Sequence, residues 1–161
     1  MKLIIEQLLD NKSLTQEEAR EVMVKIMSGE YDDAKIAGFL IALRAKGEKS
    51  EEIAGFAQAM REKMTSIPIS SDAIDMCGTG GDASGTFNIS TAASFVVAGA
   101  GVKVAKHGNR SMTSRSGSAD VLEALGVDIT LSPEKVAECI ETIGLGFMFA
   151  PSLHPAMKYA M

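Results

Sequence analysis

The sequence predicts a two-part α/β chain: a small helical domain over residues 1–66, then the first part of a parallel α/β domain over 67–161. Three observations predict it. Apolar residues recur at helical spacing from Leu3 to Met64. Past Pro68 the pattern changes to short apolar runs that alternate with helical segments. The connections between run and helix are short, which implies parallel strands joined by helical crossovers.

Ile4, Ile5, Leu8 and Leu9 form the first apolar stripe. Thr15 opens a capping box with Glu18, the hydroxyl accepting a first-turn N–H and the carboxylate reaching back. Ala19, Val22, Met23, Ile26 and Met27 follow on one face, and Gly29 ends that helix. Asp32 or Asp33 caps a third helix with Ile36, Phe39, Leu40 and Leu43 on its face, closed by Gly47. Ser50 starts a fourth, with Glu51 and Glu52 in its first turn and Ile53, Phe56, Ala57, Met60 and Met64 inward. In the second part the expected strands are Ala73–Cys77, Val102–Lys106, Val127–Thr130 and Leu145–Phe149. The expected helices are Ser90–Ala100, Ser118–Leu125 and Pro133–Ile143, the last opened by Ser132 with proline at its first position.

The totals exclude several classes. A net charge of −5 and 5% aromatic residues argue against a nucleic-acid binder. No apolar run approaches a membrane span, and acids interrupt the apolar N-terminus, so neither a membrane partner nor a signal peptide is expected. The chain is read as cytoplasmic. Cys77 and Cys139 form no C-x-x-C pair and read as small buried hydrophobes. His107 and His154 lack neighbours at metal-ligand spacing.

In a parallel sheet every strand-to-helix loop opens on the carboxyl edge, where ligands bind. Gly78–Phe87 and His107–Gly117 are two such loops. From Ala83 to Ala119 the acidic chain holds Lys103, Lys106, Arg110 and Arg115 and no acid at all. Gly78, Gly80, Gly81 and Gly85 let backbone amides turn toward an anion, and the helix beginning at Ser90 and Thr91 offers free N–H groups. Phosphate binding is the chemistry this combination suits. Neither G-K-[ST] nor G-x-G-x-x-G is present. Asp82 reads either as a turn former or as an indirect Mg²⁺ holder.

GTGGD at Gly78–Asp82, NIST at Asn88–Thr91 and KHGNRSMTSRSGSADVLEALG at Lys106–Gly126 closely resemble the anthranilate phosphoribosyltransferases of tryptophan biosynthesis. The likeness runs the whole length. It implies a nucleoside phosphorylase/phosphoribosyltransferase-like fold and transfer of phosphoribosyl from phosphoribosyl pyrophosphate (PRPP) to anthranilate, with Mg²⁺ and release of pyrophosphate. It implies a PRPP site of Gly78, Gly81, Asp82, Thr86, Asn88, Ile89, Ser90 and Thr91, continued by Lys106, His107, Gly108, Asn109, Arg110, Ser111, Met112, Thr113, Ser114 and Ser118. Gly78 and Asn109 would also touch anthranilate, Ser90 would ligate the metal, and no residue is assigned as general acid or base. His107 would give shape and a hydrogen bond beside the aromatic acid. The resemblance also implies a homodimer joined through the N-terminal helices.

Members of that family are about twice as long. An acidic Mg²⁺ pair and an arginine for the anthranilate carboxylate are expected beyond Met161, so this chain is expected to be an N-terminal fragment with little or no activity alone. Its sheet edges are expected to self-pair, to swap or to lose order. Two alternatives stay open: a pyrimidine-nucleoside phosphorylase of similar fold, and a non-catalytic dimerisation module that retains phosphate binding.

Overall fold

The computed structural model describes residues 1–78, 87–111 and 116–159. The chain divides into two compact units. One is Met1–Met64 with the segment from His154 onward, and the other is Thr65–Leu153.

The first unit holds four helices: α1 (Lys2–Leu9), α2 (Gln16–Met27), α3 (Asp33–Lys46) and α4 (Ser50–Lys63). α1 packs on α3 and α2 on α4. The Thr15 capping box is present, with Glu18 N–H donating to the Thr15 hydroxyl at 3.2 Å and Thr15 N–H to Glu18 at 2.8 Å. Asp32 caps α3 through the Lys35 N–H. Gly29 and Gly47, past the ends of α2 and α3, both take positive φ. Leu8, Leu14, Ala19, Val22, Ile26, Ile36, Phe39, Ala42 and Leu43 make the core, with Phe56 edge-on to Phe39 at 6.1 Å.

Two expectations are corrected here. Leu9 is 64% exposed and Leu40 is 41% exposed, because each sits at the margin of a stripe whose centre is Leu8 or Phe39. On α4 the inward face is Glu52, Gly55 and Ala59, while Ile53 and Ala57 face out. The reason is close approach: a Cβ on Gly55 would lie 2.2 Å from the Gln16 carbonyl oxygen and 2.9 Å from the Ala19 Cβ. Small residues let the two backbones meet, and that contact turns the larger apolar residues aside. α4 starts at Ser50 as expected, and the N–H of Lys49 before it donates to Glu52 at 2.8 Å. Glu52 is fully buried. It accepts the Leu14 N–H at 2.9 Å and pairs with the buried Lys46 ammonium at 2.7 Å. Burial opposes its charge most strongly, but the Lys46 ammonium and the two amides outweigh that and lower its pKa.

The second unit contains α5 (Ile89–Gly99), β1 (Val104–Gly108), α6 (Ser118–Ala124), α7 (Pro133–Ile143), β2 (Leu145–Phe149) and the short α8 (Ala150–Leu153). A 3-10 turn, Pro155–Tyr159, follows and belongs to the first unit, where it packs on α2. β1 and β2 are parallel, in register Val104 with Leu145 through Gly108 with Phe149. The expected parallel α/β class holds, with changes in its strands. Ala73–Cys77 reduces to one parallel bridge, Ile74 to Val104. The Ile74 N–H donates to the Lys103 carbonyl and the Ala105 N–H donates to the Ile74 carbonyl. Beyond it the Asp75 side chain takes the next ladder donor, the His107 N–H, at 3.0 Å. Residues 127–130 form a turn instead of a strand, because Asp128 accepts from both the amide and the hydroxyl of Thr130. Ile129 still plugs a small core with Ala119 and Leu122, backed by Phe147 and Phe149. On the other sheet face Ala105 and Met148 meet Val136, Ile140 and Leu153.

A clasp fixes the segment that enters this unit. Glu141 on α7 accepts the Ser70 and Ser71 N–H groups at 2.8 and 3.2 Å, both serine hydroxyls, and the Lys103 ammonium. The Lys103 bond, then the Ser70 amide and Ser71 hydroxyl, hold the Glu141 carboxyl down to about 2. A depressed carboxyl stabilises the fold above its unfolded pKa and loses that contribution as it protonates. Thermal melts across pH should therefore show stability falling between about pH 4.5 and 2, with Glu141→Gln removing part of that slope. In the helical unit, Gly55→Ala forces α2 and α4 apart and should cost roughly 1–3 kcal/mol or more in chemical denaturation.

Candidate active site

The strand β1 carries the site. Its residues alternate between faces. Val104, Ala105 and Lys106 are buried, and Lys106 is only 3% exposed. Its ammonium donates to the Met76 carbonyl at 2.6 Å, its one hydrogen-bond partner among the described residues. An ammonium has three donors. Burial lowers the Lys106 pKa, and the nearby Asp75 and Cys77 partly oppose that. The next residue, His107, is clasped by Asp75: its N–H donates to Oδ1 at 3.0 Å, and its Nδ1 lies 3.3 Å from Oδ2. Cys77 is exposed, contrary to the buried reading, because the chain has already left the sheet there; Cys139 is partly buried.

Both loops rise from one edge, and their described ends meet. Gly78 approaches the start of α5 so closely that a Cβ there would sit 3.3 Å from the Ser90 hydroxyl. Asn88, at the far end of the first loop, donates through Nδ2 to the Ser116 hydroxyl, at the far end of the second, at 3.2 Å. Thr91 is buried one residue into the helix from Ser90, and Ile89 is exposed. Ser118 Oγ lies 3.4 Å from the Asn109 carbonyl oxygen and against Gly108. Beside the Asn88–Ser116 contact a hollow of about 430 Å³ opens between Phe87, Phe95, Val121 and Leu125.

The second loop is closed at its base by a carboxylate that the charge pattern did not reveal. Asp120 accepts the Ser111 N–H at 3.0 Å and the Gly117 N–H at 2.7 Å. Those amides are the main reason its pKa is lowered. Gly117 fits because a Cβ there would be 2.5 Å from both the Asn109 oxygen and the Ser111 nitrogen. Arg110 lies in the acid-free stretch, yet its guanidinium bonds Glu123 at 2.7 and 3.0 Å and Asp120 at 3.1 Å, just past the end of that stretch. It also lies 6.0 Å from the centre of the Phe149 ring. Helix α6 thus supplies acids that sequence distance hid. The structure brings Gly78, Asn88, Ser90, Lys106 and Asn109 to one edge and commits Arg110 to α6. Gly81, Asp82, Thr86, Met112, Thr113 and Ser114 lie outside the described residues. Asp75 is the residue that sequence reasoning missed; its signal was a carboxylate placed just before the glycine loop.

Comparison with known proteins adds the family. Residues 2–64 match the helical bundle domain of a glycosyl transferase family, and residues 70–161 match the a/b domain of that family. The chain belongs to this glycosyl transferase family. Within it the likeness is to anthranilate phosphoribosyltransferases, as the motifs implied. The enzyme of Geobacillus stearothermophilus is 54% identical over 99% of this chain, and that of Methylococcus capsulatus 58% identical over 98%. This chain spans 47% of the length of each. The crystal structure of the Thermus thermophilus enzyme superposes with a TM-score of 0.88 at 48% identity, covering 97% of this chain and 48% of that one. The Saccharomyces cerevisiae enzyme, in complex with PRPP and Mg, gives 0.85 at 30% identity, covering 96% and 47%. Among the described residues no group of three or more His, Cys, Asp or Glu could hold a metal, and no helix is long and apolar enough to cross a membrane.

The tight seat of Gly117 can be tested directly. Gly117→Ala should lower stability by roughly 1–3 kcal/mol in denaturant titration, since its added methyl meets backbone on one side and cannot swing away.

Proposed function

We propose that this chain carries the PRPP-binding part of an anthranilate phosphoribosyltransferase, acting in tryptophan biosynthesis in the cytoplasm as a homodimer through its helical unit. The observation that carries the reading is the buried Lys106 ammonium at the edge where the described ends of both small-residue loops meet, with one neutral acceptor among the described residues for its three donors. Burial disfavours the charged ammonium, and the nearby Asp75 and Cys77 offset that only in part. A pyrophosphate would supply the missing acceptors. The yeast relative bound to PRPP and Mg makes that substrate the natural candidate.

Departure of pyrophosphate leaves positive character on the ribose and negative charge on the leaving oxygens. In this reading Lys106, Gly78 and the start of α5 lie toward that developing charge. Asn88, Ser90 and Thr91 hold the phosphoribosyl part, with His107, Gly108, Asn109 and Ser111 at the second loop, and Gly78 and Asn109 flank anthranilate. The aromatic amine is itself the nucleophile, so orientation does the work that a strong base would otherwise do. Mg²⁺ fits at Ser90 only in company: one hydroxyl is a weak ligand, and Mg²⁺ ordinarily completes its shell with water and substrate phosphate. Bound there, it would neutralise charge on the leaving group. Arg110 acts by fixing the second loop to α6. Since the chain spans about half of its relatives' length, the proposal extends to binding, with turnover by this chain alone low or absent.

Isothermal titration with PRPP and Mg²⁺ tests this against the nucleoside phosphorylase reading. Heat with PRPP and none with thymidine is expected; the reverse overturns the proposal. Lys106→Met separates fold from function. Removing a buried charge that burial disfavours should leave the melting temperature unchanged or raised. PRPP affinity should fall by about 1.5–3 kcal/mol, the usual worth of a hydrogen bond to a charged group.

A further inference from the structure

Resting on the PRPP-site reading above, we infer that Asp75 is a positioning residue for this site: it fixes the His107 imidazole with its hydrogen on Nδ1 and ties the base of the glycine loop to β1. Two bonds carry this. The His107 backbone N–H donates to Asp75 Oδ1 at 3.0 Å, and His107 Nδ1 lies 3.3 Å from Asp75 Oδ2. A carboxylate only accepts, so Nδ1 must carry a hydrogen. The backbone N–H cannot change its role, and this locks the polarity of the whole contact. The next residue along, Met76, gives its carbonyl to the Lys106 ammonium. One short segment thus sets two neighbouring side chains of β1 whose directions diverge, because adjacent strand residues point to opposite faces.

The location strengthens the case. Ile74 is the last residue on the ladder. Asp75 replaces the missing strand with a side chain, then the chain turns into the Gly78 loop. The orienting bond is therefore also the joint between sheet and loop. Asp75 touches neither substrate nor reacting atom in this reading; it acts through His107 and through the loop that follows.

Asp75→Asn is the informative change. The carboxamide must keep its oxygen toward the His107 N–H, so its NH₂ faces Nδ1 and the ring must accept there. Nitrogen-15 NMR of the imidazoles at about pH 8, where an ordinary imidazole is neutral, reads this directly. The chain has two histidines, and a His154→Gln variant assigns them. The parent should show hydrogen on His107 Nδ1, and Asp75→Asn should move it to Nε2. PRPP affinity should fall on the order of tenfold, as when other histidine-orienting partners are lost. A bare Nδ1 in the parent overturns the inference without any variant. So does an unchanged nitrogen pattern in Asp75→Asn, or an inverted pattern with unchanged PRPP affinity. If the parent itself does not bind PRPP, the site reading has failed. The parent spectrum then decides the Asp75 assignment alone.

Discussion

The α/β unit is built around a charge in its own sheet. Lys106 lies mid-strand in β1, buried, between a partner strand on one side and a single bridge on the other. Ordinary burial would place an apolar residue there. A lysine in that position constrains its surroundings: a carbonyl must face it, and the chain before it must leave the ladder to supply that carbonyl. The Met76 carbonyl and the early departure of the chain at Asp75 answer those two demands in order.

Carboxylates that accept backbone amides recur wherever regular structure stops. Glu52 takes the Leu14 and Lys49 N–H groups between the helices of the first unit. Asp75 takes His107 where the ladder ends. Asp120 joins Ser111 to Gly117 across the base of the second loop, and Glu141 holds Ser70 and Ser71 as the chain enters the second unit. Donors at chain turns need acceptors, and a charged acceptor makes a stronger bond than a neutral one. Part of the acidic excess of this protein is therefore internal scaffolding.

The glycosyl transferase family supplies a context for these devices. This chain spans about half the length of the relatives compared above, so the two units here correspond to the part of those enzymes that holds the helical bundle and the start of the α/β domain. Each unit has its own core: Phe39, Leu8 and Ile26 anchor the first, and Ile140 and Val104 anchor the second. The described ends of the two loops, Gly78 with Asn88 and Asn109 with Ser116, all belong to the second unit.

The sequence by itself determined what is local. The Thr15 box, the Ser132 cap, the helix at Pro133 and the strand at Leu145–Phe149 follow from short-range hydrogen bonding and periodicity, and they stand where those rules put them. The three motifs likewise identified the family, because a rare order of small and basic residues is itself the signal. Tertiary structure decided what depends on approach between distant segments. Gly55 against Gln16 redirected the inward face of α4, Asp128 turned an apparent strand into a turn, and Asp120 with Glu123 claimed an arginine that looked free. Asp75 meets His107 for the same reason. Side chains separated along the chain exchange hydrogen bonds only after the sheet has set their distance, and no pattern of neighbours in sequence encodes that distance.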